Sequence, residues 1–226
     1  MNLGLDKSRE KVLLRGYPGG NLEKIKKCGL DYVKLCKPEI IVLQIGSNDL
    51  CNSTNSVQDV ARGIIEVAIK LGFCLEVKKI VICQILHRLS PQKRIRYKVD
   101  IKWFNKRCDE LNSFLSHYFR ENRMDNVSFW KDSGFWSERS KQLAFCNDGV
   151  HLNINTGYPK YNNGIRAAVK VAMPKTKPGQ SRKGKNKDQR ESPSPLSPEV
   201  EEALIARITE SVIQSMNRNQ PVEEIP

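Results

Sequence analysis

Continuous apolar runs alternate along this chain with segments whose apolar positions recur every three or four residues. The runs predict buried strands over Lys11–Arg15, Glu39–Ile45, Lys79–Cys83 and Asn126–Trp130. The run 39–45 is apolar at nearly every position, which favours a central strand of a parallel sheet over an alternating edge strand. The pattern therefore predicts an α/β domain whose core is formed by these strands.

Helical periodicity fills the segments between the strands. Four helices are predicted in this way, over 21–27, 56–71, 96–121 and 157–173. Asn21 and Ser56 stand where an N-cap is expected. The long third helix has its apolar residues on or near one face, at Val99, Trp103, Phe104, Leu111, Leu115 and Phe119. Strands that alternate with helices predict an α/β/α domain of three layers over residues 1–173, with a mostly parallel sheet.

The character of the chain changes after residue 173. Residues 174–198 are rich in Lys, Arg, Ser, Pro and Gly without apolar periodicity, which predicts a basic disordered linker. Residues 199–216 carry apolar positions at four-residue steps and predict a short amphipathic helix, which would dock on a protein partner or self-associate. A disordered tail is predicted over 217–226.

Charge and cysteine content narrow the class of protein. The formal net charge is +13, and the segments 174–198 and 199–226 carry +5 and −4 of it, so about +12 lies on residues 1–173. Much of this charge falls within 78–107, and with 175–190 it forms two segments that could attract nucleic acid. The seven cysteines lie mostly in apolar contexts, which predicts a reducing, intracellular location, cytoplasmic or nuclear. No apolar run is long enough for a membrane span. The sequence contains no C-x-x-C pair of the kind that binds zinc, and no metal or cofactor is expected.

Two short motifs carry the candidate chemistry. Gly46-Ser47-Asn48-Asp49 follows a predicted central strand, and Asp148-Gly149-Val150-His151 precedes the last helix of the domain. A third glycine-rich turn, 16–20, follows the strand 11–15. In a parallel sheet, functional sites lie at the carboxyl ends of the strands. The turns 16–20 and 46–49 each follow a predicted strand and would lie at this edge.

This combination of motifs and order resembles the SGNH, or GDSL-like, hydrolase family over about residues 10–172. The turn 16–20 resembles that family's second block, 46–49 its third, and 148–151 its fifth. The resemblance implies a flavodoxin-like sheet and a serine esterase that hydrolyses O-acyl esters. Some retrotransposon proteins also carry domains of this kind, next to nucleic-acid-binding and self-associating segments.

The resemblance also implies roles for individual residues. His151 would be the general base and Asp148 the acid that fixes its tautomer. Asn48 would donate its side-chain amide to the oxyanion and Gly19 its backbone N–H, with Gly20 as the alternative to Gly19.

The family's first block, a strand followed by Gly-Asp-Ser, has no counterpart in this chain. Ser8 stands in a polar context, Ser47 lies inside the oxyanion block, and Cys51 is interpreted as structural, so no nucleophile is assigned. In the family the missing strand lies between the strand that precedes Gly19 and the one that precedes Asn48. We therefore expect either direct pairing of those two strands or an incomplete sheet, and a reading frame that lacks its 5′ part.

Two functions remain open at this point. The first is an esterase-like domain that is inactive as it stands because the serine is absent. The alternative is a non-catalytic basic module that binds nucleic acid or a protein. His87, which follows the apolar run 79–86, could line the same edge, but it is interpreted as a surface residue.

Overall fold

A parallel sheet of three strands forms the centre of the domain. The computed structural model describes residues 11–90, 99–122, 124–135 and 142–173, and Ala203 alone beyond them. Within these ranges the strands are β1 (Ile40–Leu43), β2 (Lys79–Cys83) and β3 (Val127–Trp130), and they lie in that order. All neighbours are parallel, with Ile41 opposite Ile80 and Ile80 opposite Val127. The predicted α/β class with a parallel sheet is confirmed.

Helices connect the strands and cover both faces of the sheet. The first, α1, is continuous over Leu22–Lys24, a π-helical stretch Ile25–Gly29, and Leu30–Cys36. The others are α2 (Ser47–Cys51), α3 (Val57–Ile69, extended by a π-helical turn Lys70–Cys74), α4 (Ile101–Glu121) and α5 (Gly157–Ala172), with a 3-10 turn at Ser133–Phe135. The predicted helices are confirmed, with ends shifted by a few residues, and the first of them runs nine residues further than predicted.

Capping side chains explain where three of the helices begin. The Asn21 side chain accepts a hydrogen bond from the Lys24 N–H at 2.9 Å. Ser56 and Asp59 form a reciprocal capping box at the start of α3. Asp100 accepts from the Trp103 N–H at 3.0 Å, which fixes the start of α4. Each cap satisfies a backbone donor that the helix itself leaves without a partner.

The period-2 pattern of the strands divides the core between two faces of the sheet. On one face Ile41, Ile80 and Ile82 pack against α1, α3 and α4, and the buried side chains of Phe104, Leu111, Leu115 and Phe119 belong to this cluster. On the other face Val42, Cys83 and Trp130 pack against Ile165 and Val169 of α5. Helices α3 and α4 thus follow β1 and β2 on one face, while α5 covers the other, which gives the three predicted layers.

The prediction of a strand over Lys11–Arg15 is wrong. These residues have irregular backbone, and Val12, Leu13 and Leu14 are 44%, 46% and 54% exposed. The predicted central position of β1 is also not found in the described sheet, where β1 pairs with β2 alone and lies at the edge. An apolar run becomes a strand only when a neighbouring strand satisfies its backbone groups, and no described strand lies beside 11–15.

Several predicted segments lie outside the described residues. They are the linker 174–198, most of the helix 199–216, the tail 217–226 and Ser8. Within the described part, no helix combines the length and the apolar character needed to cross a membrane.

Candidate functional site at the carboxyl edge of the sheet

The turn after β1 is built around a glycine in the left-handed region. Gly46 has a φ of 100° and forms the N-cap of α2. A Cβ at this position would lie 3.0 Å from the Ile64 side chain and 3.1 Å from that of Ile85. The geometry therefore requires glycine both for its φ and for the close packing of the core below it. It places Ser47, Asn48 and Asp49 in the first turn of α2, at the carboxyl end of β1.

Asn48 and Asp49 tie this turn to the glycine-rich turn 16–20. The Asn48 amide donates to the Gly20 carbonyl at 2.8 Å. Asp49 is buried, and both of its carboxylate oxygens accept from the Leu22 N–H, at 3.1 and 3.2 Å. The two turns are thus adjacent although no described strand precedes the first of them.

The structure separates the two candidate backbone donors of the glycine turn. The Gly20 N–H donates to the Tyr17 carbonyl at 2.7 Å and closes a tight turn. Gly19 has a φ of 61°, and its N–H makes no hydrogen bond within the described part of the chain. Gly19 rather than Gly20 therefore keeps a donor for a ligand.

Asp148 and His151 form an acid–base pair in the loop between β3 and α5. Asp148 Oδ2 lies 2.6 Å from His151 Nδ1. Asp148 Oδ1 accepts the N–H groups of Val150 and His151, at 2.8 and 2.9 Å. A carboxylate that accepts from Nδ1–H leaves Nε2 without a proton, which is the tautomer of a general base. The His151 side chain is 73% exposed, so this atom is open to water.

The hydrogen bonds around Asp148 also set its charge. Burial by itself raises the pKa of Asp148, but the bonds from the His151 ring and from the backbone N–H groups of Val150 and His151 outweigh it. The net pKa is lowered from the ordinary value. The Asp148 carboxylate is therefore ionised at neutral pH, and it is this anion that accepts the hydrogen bond from the His151 ring.

A short backbone frame holds the loop over the end of β2. Gly149 has a φ of 70°, and its carbonyl accepts from the Leu89 N–H at 2.9 Å. The Cys146 N–H donates to the His151 carbonyl at 2.7 Å, and Phe145 forms an isolated bridge with Leu152. The position of the pair is thus set by the segment that follows β2.

A cleft of about 180 Å³ lies between the two motifs. Its walls are Gln44, Ser47, Leu86, His87, Arg88, Phe145, Val150, Leu152 and Tyr161. Ser47 is the chain neighbour of Asn48, and Val150 and Leu152 flank His151. The cleft therefore lies beside the predicted oxyanion turn and beside the acid–base pair, at the carboxyl edge where parallel sheets bind ligands, and its lining holds the neighbours of Asn48 and His151 rather than these residues themselves.

No hydroxyl or thiol of the described residues bonds to the His151 ring. Ser47 Oγ accepts from the Arg88 guanidinium at 3.3 Å instead. The Cys51 thiol donates to the Ser47 carbonyl at 3.2 Å, and burial raises its pKa, so it is a poor nucleophile. Neither Ser47 nor Cys51 is therefore hydrogen-bonded to the His151 base among the described residues.

The sequence did not predict that His87 and Arg88 line the cleft. His87 Nε2 lies 2.7 Å from Asp109 Oδ1 of α4 and lines the cleft, so it forms a second acid–histidine pair. Arg88 belongs to the basic segment 78–107 but is only 7% exposed and also lines the cleft. Their position directly after the run 79–86 was the available signal, because residues that follow a parallel strand lie at the carboxyl edge.

The described residues contain no cluster of three or more His, Cys, Asp or Glu side chains with metal-binding geometry. The two acid–histidine pairs are separate, each joining one carboxylate to one ring.

Two solved structures with the same fold are described as hydrolases. A protein from Bacteroides fragilis, provisionally described as an acylhydrolase, superposes with a TM-score of 0.57 at 21% identity, covering 70% of this chain and 73% of that one. A GDSL-like lipase from Bacteroides thetaiotaomicron gives 0.56 at 20% identity, covering 70% and 75%. No model of a known protein family matches the sequence, and no curated protein matches it significantly.

Proposed function

We propose, on the premise that this domain has the fold of GDSL-like acyl hydrolases, that it holds the acid–base and oxyanion parts of an O-acyl ester site without a serine nucleophile. The observation that carries the proposal is the 2.6 Å contact between Asp148 and His151, next to a cleft lined by Ser47 on one side and by Val150 and Leu152 on the other. In this arrangement Asp148 orients the ring, and His151 Nε2 is the proton acceptor. The second N–H of the Asn48 amide, whose first N–H donates to the Gly20 carbonyl, and the Gly19 N–H are the donors for a developing oxyanion.

An ester bound in this cleft would meet a base but no attacking oxygen or sulfur from the described residues. Acyl transfer to the protein requires a nucleophile within hydrogen-bond reach of the base. Ser47 and Cys51 are both committed to other partners. We therefore propose that the chain binds acyl esters and does not turn them over through an acyl-enzyme.

The test has one arm for turnover and one for binding. Hydrolysis of p-nitrophenyl butyrate by the full chain should show no burst, and the rate should stay within about twofold of that of His151→Ala. A fluorophosphonate probe should label no serine. Methyl butyrate should shift the backbone resonances of Ser47, Val150 and Leu152 in nitrogen-15 NMR spectra. A burst that His151→Ala abolishes would overturn the proposed inactivity, and unchanged resonances would overturn the proposed ester site.

The second candidate function is a basic module that binds nucleic acid, and the observation behind it is the net charge of about +12 on residues 1–173. Within 78–107, the exposed cations Lys78 and Lys106 remain on the surface, with side chains 69% and 81% exposed. Labelled single-stranded RNA should then bind at about 50 mM salt and dissociate as the salt concentration rises. No binding at this salt concentration would count against the candidate. The proposals that 175–190 contributes to RNA binding and that 199–216 contacts a protein partner can be tested by deleting each segment.

A further inference from the structure

Arg88 is a buried cation in the wall of the cleft, and hydrogen bonds from α4 fix its backbone. Its N–H donates to Asn105 Oδ1 at 2.8 Å, and its carbonyl accepts from the same Asn105 side chain at 2.9 Å. Asn112 holds the backbone of Ile85 in the same way, at 2.8 Å for each bond. Two asparagines of α4 thus fix the segment 85–88, and the position of Arg88 is set before any ligand binds.

The guanidinium has few partners for a group so well buried. It stacks over the Phe104 ring at 4.2 Å, and Nη2 donates to Ser47 Oγ at 3.3 Å. Its Nε is buried and has no acceptor among the described residues. Stacking on an aromatic ring attracts the charge but does not satisfy the N–H donors.

The carboxylates on the neighbouring elements are engaged elsewhere. Asp49 accepts from the Leu22 N–H, Asp109 pairs with His87, and Asp148 pairs with His151. No carboxylate of the described residues lies within 4.0 Å of the Arg88 guanidinium. A buried charge without an opposite charge is costly, so a site that keeps one is suited to an anion from outside.

The surroundings of Arg88 favour a small planar anion. The cleft holds about 180 Å³, and its polar lining includes Gln44, Ser47 and Tyr161. The Tyr161 hydroxyl donates to Gln44 Oε1 at 3.4 Å, so these groups already form a weak network. A carboxylate matches the fork of a guanidinium with two parallel hydrogen bonds.

We propose that Arg88 binds a carboxylate carried by the ester substrate, so that the site takes acyl esters with an anionic group in preference to neutral ones. This inference rests on the proposed ester site and names its substrate class. The carboxylate would lie against Arg88 and Ser47, while the ester group extends toward Val150 and the acid–base pair.

A matched pair of ligands isolates the charge. Monomethyl succinate carries one ester and one carboxylate, whereas dimethyl succinate carries two esters and no charge. The full chain should bind the monoester at least about tenfold more tightly, because a hydrogen bond to a charged group contributes more than a neutral one. Titration followed by nitrogen-15 NMR gives both affinities and the residues that respond. Inorganic phosphate is the third probe, and it should bind more weakly than the monoester.

Arg107 provides the control for the removal of a stacked arginine. It lies over the Trp103 ring at 4.4 Å with a buried, unpartnered Nε, but it donates to the Asn55 carbonyl and does not line the cleft. Arg88→Met should abolish the preference for the monoester, and Arg107→Met should keep it. Arg88→Lys retains the charge without the fork, and it should weaken the preference about threefold or more. This milder variant serves if Arg88→Met does not fold.

Equal affinity for the two succinate esters in the full chain would overturn the inference, as would an equal loss in Arg88→Met and Arg107→Met. Tighter binding of phosphate than of the monoester would show a phosphate site instead and would also overturn it. These failures are distinguishable from a failure of the ester site. If both esters shift the Val150 resonance equally, the ester site stands and the role of Arg88 falls, whereas no shift by either ester removes both.

Discussion

Asp148 controls the tautomer of His151, and one substitution tests this control. In Asp148→Asn we expect the side-chain oxygen to accept hydrogen bonds from the Val150 and His151 N–H groups, as Asp148 Oδ1 does in the natural chain. The amide nitrogen would then face His151 Nδ1 and donate to it, which moves the ring proton to Nε2. Nitrogen-15 spectra at about pH 8, above the ordinary histidine range, should show a protonated Nδ1 in the natural chain and a protonated Nε2 in the variant. An unchanged ring signal would contradict this assignment, and His117, whose Nδ1 accepts from Arg120 Nη2 at 3.1 Å, serves as the internal reference.

Gly149 provides the second prediction at this scale, because its φ is 70° and a Cβ would lie 2.0 Å from the Leu89 carbonyl oxygen. Gly149→Ala should lower the free energy of unfolding by roughly 1–3 kcal/mol or more, since both the strained φ and the contact with rigid backbone oppose it. Gly16→Ala is the matched control, because its Cβ would meet nothing within 4 Å, and its effect should stay within about 0.5 kcal/mol. Urea unfolding of the three proteins measures both values, and equal stability would show that the loop has another conformation.

Some of the site could be predicted from single residues and some could not. The contact between Asp148 and His151 follows from their spacing, because a turn at Gly149 brings residues three apart together. The burial of Arg88 has no such local signal, since Arg is mostly exposed in proteins. It becomes buried because Phe104, Asn105 and Ser47, all distant in sequence, surround it.

At the scale of the element, the capping box of α3 links helix stability to pH. Ser56 and Asp59 bond reciprocally, and the bonds from the Ser56 side chain and backbone lower the pKa of Asp59. Ser56→Ala should lower the free energy of unfolding by about 1 kcal/mol at neutral pH. Because the folded-state pKa of Asp59 is below the unfolded value of about 3.9, its stabilisation is complete above that pH and is lost as the pH falls through the folded pKa.

Unfolding of the natural chain and of Ser56→Ala, each compared between about pH 7 and pH 3, checks this sign. The difference between the two proteins should shrink at the acid end. Thr54→Ala is the control, because Thr54 bonds to Asn52 before the helix and not to its N-terminal N–H groups. A difference that stays constant or grows on acidification would show that Asp59 does not depend on the cap.

The helices were predictable because each is specified by nearby residues. Asn21 and Ser56 mark two of the starts, and the apolar face of α4 follows from its own sequence. The strands differ, because a strand is completed by a neighbour that the local sequence does not name. Lys79–Cys83 has neighbours on both sides and was predicted with its observed bounds, whereas the apolar run 11–15 has none among the described strands and is irregular.

At the scale of the whole molecule, the backbone N–H groups of β1 differ in whether they face β2 or point away from it. The register and the bond from the Lys79 N–H to the Glu39 carbonyl fix the ladder. In a parallel pair alternate residues face the partner, so the Ile41 and Leu43 N–H groups point to β2 while those of Ile40 and Val42 point away from it. Neither of the outward pair makes a hydrogen bond to another described residue.

Hydrogen exchange distinguishes an open edge from a covered one. The Val42 amide should exchange at least about a hundredfold faster than those of Ile41 and Leu43, because opening of the fold is not required to expose it. Amides of β2, which lies between two strands, should be the slowest and give the internal reference. Equal protection of Val42 and Ile41 would contradict an open edge and show that another strand pairs there. Since edge pairing between two copies depends on concentration, loss of that protection on dilution would identify the second strand as a copy of β1, and protection independent of dilution would place it within the same chain.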